Sequence, residues 1–188
     1  MILFAAIPIP DDIARQIKPV QKGVEGARWR RAEQLHITIG YFGDIDDERA
    51  QMLDDEIARE PLQGFALTLK GCGHFGKNNP HALWAGVDDS APLTKLHSHC
   101  RRAARAANII MPARVFTPHL TLAYLPKTSP EHLVTALERL AIFKRGMVDF
   151  KVGPFWVDGF SLYSSHRKKK GGNAYRIEAD YPLIGSRL

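Results

Sequence analysis

Cysteine is nearly absent from this chain of 188 residues: Cys72 and Cys100 are the only two. A single pair supports neither a disulfide framework nor the doubled Cys sites of a zinc ribbon, so the cytoplasm is the expected compartment. Long apolar runs are missing too. The apolar start from Met1 to Ile9 has no basic segment before it and meets Pro10, Asp11 and Asp12 too early for a signal peptide or a membrane span. It reads as a buried strand, and no membrane partner is expected. No low-complexity linker divides the chain, so residues 1–188 are expected to pack as one unit. A metal-ligand set is also lacking. His97-Ser98-His99-Cys100 has suitable residue types, but side chains two apart on a helix diverge by about 200°, so His97 and His99 cannot chelate one ion together. Gly71-Cys72-Gly73-His74-Phe75-Gly76 reads as a Gly-rich turn bordering a cleft; it lacks the lysine and the serine or threonine of a P-loop. No metal and no cofactor are expected.

What the chain does have is positive charge and a repeat. The net charge of +6 implies an affinity for polyanions through the summed field. The repeat is His36-Ile37-Thr38-Ile39 and His119-Leu120-Thr121-Leu122. With 8 His and 45% hydrophobic residues, chance yields on the order of 0.06 copies of His-apolar-Thr-apolar, so two copies call for a cause. In a strand, His36 and Thr38 share one face while Ile37 and Ile39 take the other. The setting repeats as well: Gln34-Leu35 and Thr117-Pro118 lead in, and Tyr41-Phe42-Gly43 and Tyr124-Leu125-Pro126 lead out. A duplicated half-domain explains this.

Two equivalent His-x-Thr units suit in-line displacement at phosphorus. The entering oxygen loses a proton on one side of the phosphate while the leaving oxygen gains one on the other, so an acid and a base must face each other. Imidazole, with an ordinary pKa of about 6.5, serves as either. Each threonine hydroxyl, about 6.6 Å along the strand from its histidine, can donate to a non-bridging oxygen.

Apolar runs alternate with amphipathic stretches in two passes. After the first strand, a helix is expected from Pro10 to about Gln21, the first motif strand, a helix over Asp46 to Arg59 and a strand over Phe65 to Leu69. The second pass gives a strand over Leu83 to Val87, a helix over Leu93 to Ala107, the second motif strand over Val115 to Ala123, and a helix over Pro130 to Leu140 capped by Ser129. Phe150 to Tyr163 and Tyr175 to Tyr181 are expected to pair as a closing hairpin. Arg101, Arg102 and Arg105 read as the solvated face of a helix, and Arg167-Lys168-Lys169-Lys170 as a hairpin tip open to solvent or to an RNA backbone.

These residues resemble the two-histidine phosphoesterases, specifically the bacterial and archaeal RNA 2′,3′-cyclic phosphodiesterases also described as 2′-5′ RNA ligases. Leu3-Phe4-Ala5-Ala6-Ile7-Pro8-Ile9-Pro10 is similar to the family's first strand, Trp29 with Leu35 to Ile39 to its first motif region, Leu83-Trp84-Ala85-Gly86-Val87 to its middle strand and Phe116 to Ala123 to its second motif. Leu162-Tyr163-Ser164-Ser165, Gly171-Gly172 and Tyr175 are similar to its closing hairpin. The resemblance implies an α+β fold of two pseudo-symmetric lobes, each an antiparallel sheet with flanking helices, around a central cleft, in one bilobal domain over 1–188. It implies a metal-independent enzyme that opens the 2′,3′-cyclic phosphate of an RNA end or nucleotide to a 2′-phosphate, with weak reverse 2′-5′ ligation, acting as a monomer. By analogy His36 is the acid and His119 the base, although the symmetry of the motifs leaves the reverse open, and Thr38 and Thr121 hold the phosphate. Many bacterial members carry an arginine five residues after the second histidine, where this chain has Tyr124. Arg114, Lys127, Lys77 and Arg167 are the candidate replacement cations. Two other outcomes stay open: a phosphodiesterase for a small cyclic nucleotide or an ADP-ribose cyclic phosphate, and an RNA-end binder without turnover.

Overall fold

The computed structural model describes residues 1–127, 129–167 and 173–185. Lys168, Lys169, Lys170, Gly171 and Gly172 of the expected hairpin tip lie outside the described residues. The strands are β1 (Ile2–Pro8), β2 (Arg28–Trp29), β3 (His36–Asp44), β4 (Phe65–Phe75), β5 (Ala82–Val87), β6 (His119–Tyr124), β7 (Lys151–Val157), β8 (Gly159–Arg167) and β9 (Asn173–Pro182). The helices are α1 (Asp11–Ile17), α2 (Asp47–Ala58), α3 (Ala91–Ala106) and α4 (Leu133–Gly146). No described helix is long and apolar enough to cross a membrane.

The class is α+β, built on an antiparallel sheet of order β7-β4-β5-β6-β3-β1-β8-β9, with the short β2 added along β6. Read outward from its centre, the sheet is pseudo-symmetric: β6-β5-β4-β7 one way and β3-β1-β8-β9 the other. The halves meet edge to edge through β3 and β6, where the only register pair is Ile37 with Leu120. Both are fully buried, at 0% exposure. The expected lobes therefore share one continuous sheet instead of carrying one each.

β1 contributes five consecutive buried residues, Leu3 to Ile7, because it is flanked by β3 and β8 and covered on both faces. Along β3, Ile37 and Ile39 join Leu93, Leu96 and Cys100 of α3 in the core, which leaves His36 and Thr38 on the opposite face. α3 begins at Ser90, whose hydroxyl accepts from the Leu93 amide at 3.3 Å. It ends at Asn108, which takes the left-handed conformation (φ 54°) that lets the Ile109 amide reach back to the Ala104 carbonyl at 2.8 Å.

Three expectations need correction. The stretch from Phe150 to Tyr163 is two strands, not one arm of a hairpin: β7 pairs with β4 at one edge of the sheet, and β8 pairs with β1 and β9 near the other. Gly71 to Phe75 is the end of β4 instead of a turn, with Gly71 (φ 65°) at an irregularity in the β4–β5 register. Ser129 does not cap α4; a 3₁₀ turn over Pro130–His132 intervenes, and the Ser129 hydroxyl bonds to Glu131 and His132.

Candidate active site

β3 opens His-Ile-Thr-Ile-Gly-Tyr and β6 reads His-Leu-Thr-Leu-Ala-Tyr, and the burial of the six residues is identical: half-buried, buried, half-buried, buried, buried, exposed. In an antiparallel pair registered Ile37 to Leu120, His36 lies opposite Thr121, and Thr38 opposite His119. The four side chains thus share one face, with the histidines on one diagonal, about 7–8 Å apart at the backbone.

Both imidazoles are wired in the same way. His36 Nδ1 lies 2.9 Å from the Gln34 carbonyl, and His119 Nδ1 lies 2.7 Å from the Thr117 carbonyl. A carbonyl oxygen only accepts, so each Nδ1 carries hydrogen and each Nε2 is free for proton transfer. Burial, together with the charge of Arg30 and the facing His119, holds His36 down to about 4 against the opposing pull of the Gln34 carbonyl. Burial also lowers His119, against the bond to Thr117. Arg30 is not among the causes acting on His119.

Aromatic rings wall the site on both sides. Phe4 of β1 lies 5.3 Å from the His36 ring, and Tyr175 of β9 meets it edge-on at 5.3 Å. Tyr163 of β8 stacks on Phe4 at 5.3 Å. Across the seam, Phe75 of β4 meets His119 edge-on at 4.7 Å, and Trp84 of β5 lies 6.3 Å from it. The Trp84 ring crosses β4 over Gly73, where a Cβ would sit 2.2 Å from Cζ2, so glycine is required there.

The expected cations are dispersed. Arg114 is exposed and borders a groove with His97, Arg101 and Arg105 against α3. Lys127 lines a cavity with Glu25, Arg139 and Leu140 beyond the Tyr124 end of β6, the end remote from His119. Lys77 and Arg167 stand nearer the rim: Lys77 is exposed two residues past Phe75, and Arg167 ends β8 two positions past Ser165, the partner of Tyr175. None of the four is hydrogen-bonded to either histidine or among the charges that act on it. Among the described residues, the cation whose charge acts on His36 is Arg30, just after β2. Its guanidinium lies over the Tyr124 ring at 5.4 Å and the Tyr175 ring at 5.6 Å. Sequence reasoning missed it because Arg28, Arg30 and Arg31 look alike in a basic segment; only the structure shows Arg30 half-buried between an exposed Arg28 and an exposed Arg31.

The remaining histidines are otherwise engaged. His97 Nδ1 bonds to the Ile39 carbonyl at 2.7 Å and His99 Nε2 to the Ile57 carbonyl at 2.9 Å, so they address different elements. Among the described residues, no three His, Cys, Asp or Glu side chains converge as metal ligands.

Known proteins share this architecture. The chain is similar to the crystal structure of Escherichia coli LigT in its apo form, with a TM-score of 0.75 and 24% identity over 98% of each chain. It is also similar to that of TT0787 of Thermus thermophilus, with a TM-score of 0.74 and 22% identity over 100% of each. In sequence it is 27% identical to the RNA 2′,3′-cyclic phosphodiesterase of Thermotoga maritima over 172 residues, covering 88% of this chain and 87% of that protein. It is likewise 27% identical to the enzyme of the same name from Archaeoglobus fulgidus over 135 residues, 70% of this chain and 76% of that one. The family model described as the 2′-5′ RNA ligase superfamily matches residues 9–169, the whole span from the end of β1 past β8, and the chain belongs to that family.

Proposed function

We propose that this protein hydrolyses the 2′,3′-cyclic phosphate of an RNA end to a 2′-phosphate, without a metal ion. The observation that supports this best is the matched wiring of His36 and His119, each fixed through Nδ1 so that Nε2 is left for proton transfer, on either side of the seam where Ile37 meets Leu120. The relatives named RNA 2′,3′-cyclic phosphodiesterases support the substrate class.

In this reading, water attacks phosphorus as one Nε2 takes its proton, the bond from phosphorus to the 3′-oxygen breaks, and the other Nε2 protonates that oxygen. Thr38 and Thr121 donate to the non-bridging oxygens. The motifs are symmetric, but the surroundings are not: the charge of Arg30 falls on His36 alone. Burial lowers both rings, and the added charge of Arg30 on His36 favours His36 as the base and His119 as the acid, the reverse of the assignment the resemblance implies. Of the aromatic walls, the half-buried Tyr175, Phe75 and Trp84 give flanking nucleobases stacking surfaces, each worth about 1–3 kcal/mol in single-strand binding.

The test is turnover of an oligonucleotide ending in a 2′,3′-cyclic phosphate in excess chelator, with the product identified. A 2′-phosphate formed at the chelator-free rate is expected. Binding without turnover would leave only an RNA-end binder, and turnover restored solely by added Zn²⁺ or Mn²⁺ would refute the metal-free route. Turnover of cyclic mononucleotides alone would redirect the substrate class.

A further inference from the structure

We propose that Arg30 is the residue that grips the phosphate at this site, presenting the edge of its guanidinium to the non-bridging oxygens beside His36. The inference rests on the phosphate reading of the histidine pair but names a contact that neither motif contains.

The backbone places Arg30 independently of its side chain. Its amide donates to the Leu122 carbonyl at 2.8 Å, continuing the β2–β6 pairing by one residue. Its carbonyl accepts from Nε2 of the buried Gln21 at 2.8 Å, and the same Gln21 nitrogen reaches the Leu122 carbonyl at 3.3 Å. Arg30 is thereby stitched to the second motif strand one residue from Thr121, while its charge acts on the first motif's histidine. The two rings it lies against come from different halves of the sheet, Tyr124 from β6 and Tyr175 from β9.

The guanidinium is short of partners. Among the described residues no carboxylate pairs with it, and one terminal nitrogen is enclosed without any hydrogen-bond acceptor. Desolvating a cation without a counter-charge is costly, and two aromatic contacts return only part of that cost. The Tyr175 hydroxyl also feels the guanidinium, which lowers its pKa against the larger effect of burial, but the enclosed terminal nitrogen still lacks an acceptor, and a guanidinium edge matches two oxygens of one phosphate. A phosphate between His36 and His119 supplies the missing counter-charge.

A purely structural role, in which Arg30 only ties Tyr124 to Tyr175, would make different predictions, so the variants are Arg30→Met and Arg30→Lys. Binding of inorganic phosphate is measured by calorimetry, the His36 Cε1 proton is followed by NMR against pH, and turnover of a 2′,3′-cyclic mononucleotide is recorded. Arg30→Met should weaken phosphate binding by about ten-fold to a hundred-fold, as expected for a charge-assisted pair. It should raise KM and move the His36 titration upward without phosphate present. Arg30→Lys, which keeps the charge and loses the fork, should recover part of the phosphate affinity and hold the His36 titration near that of the wild type. A folded Arg30→Met that binds phosphate as the wild type does would overturn the inference, whatever its melting temperature. Should Arg30→Met fail to fold, unchanged phosphate affinity in Arg30→Lys overturns the bidentate contact. Arg30-dependent phosphate binding in a wild-type protein that turns over no cyclic phosphate would support the grip and sink the proposed reaction instead.

Discussion

Acid should destabilise this fold through His36. The unfolded chain protonates that ring at the ordinary value of 6.5, while the folded protein holds it down to about 4. Between those values the unfolded state binds more protons, so stability is full above pH 6.5 and is lost as pH falls toward 4. At about 1.4 kcal/mol for each pH unit, the gap is worth about 3 kcal/mol at most, a sizeable part of the 5–15 kcal/mol typical of a domain. His74 and His119 are also lowered by burial and act with the same sign, so the His36 share must be isolated. His36→Asn does this, since the amide can still donate to the Gln34 carbonyl but does not titrate near neutrality. Urea unfolding of both proteins at constant ionic strength, from pH 7.5 to 4, should give free energies whose difference changes by up to about 3 kcal/mol across the window, the wild type losing more. Saturating phosphate should shrink the wild-type loss, because a bound anion favours the protonated ring. Parallel curves for the two proteins would refute the reasoning, showing that His36 is as free to take a proton in the folded protein as in the unfolded chain.

Other outcomes follow from the same geometry. His36→Ala or His119→Ala alone should lower kcat by about 10²-fold to 10⁴-fold, and the double variant by much less than the product, since acid and base act in one displacement; wild-type turnover in either single variant would end the two-histidine mechanism. Thr38→Val and Thr121→Val should each cost about 0.5–1.5 kcal/mol in kcat/KM, the worth of one neutral hydrogen bond, and a loss matching that of the histidines would assign them another role. Gly73→Ala places a Cβ 2.2 Å from Trp84 Cζ2 and must push the indole from its seat beside His119; thermal melts should show a cost of about 1–3 kcal/mol together with a fall in kcat/KM, and a variant matching the wild type in both would show that Trp84 can move freely.

The chemistry of the site was legible in the sequence because a strand writes its two faces as alternate residues. His36, Thr38, His119 and Thr121 fall on one face and Ile37, Ile39, Leu120 and Leu122 on the other, whatever lies beside the strand, so local pattern sufficed to single out the four polar groups. Local pattern also located α2 and α3 to within a few residues, since the cap at Asp46 and the apolar spacing along both are properties of neighbouring positions, whereas α1 ends at Ile17 instead of near Gln21 and α4 runs over Leu133–Gly146 instead of Pro130 to Leu140. Pairing is not a local property. Nothing within Phe150 to Tyr163 says that β7 leaves for the far edge of the sheet while β8 joins β1, and Gly71 to Phe75 resembles a turn until Trp84 is seen lying over Gly73. Tertiary structure alone decided that the histidines sit diagonally across a single seam, because that depends on Ile37 meeting Leu120 from 83 positions away (120 − 37). It decided which cation stands at the site as well. Arg114, Lys127, Lys77 and Arg167 were as plausible in sequence as Arg30, but only Arg30 is carried by the β2–β6 pairing to rings contributed by two distant strands, and a charge acts through distance in space, not along the chain.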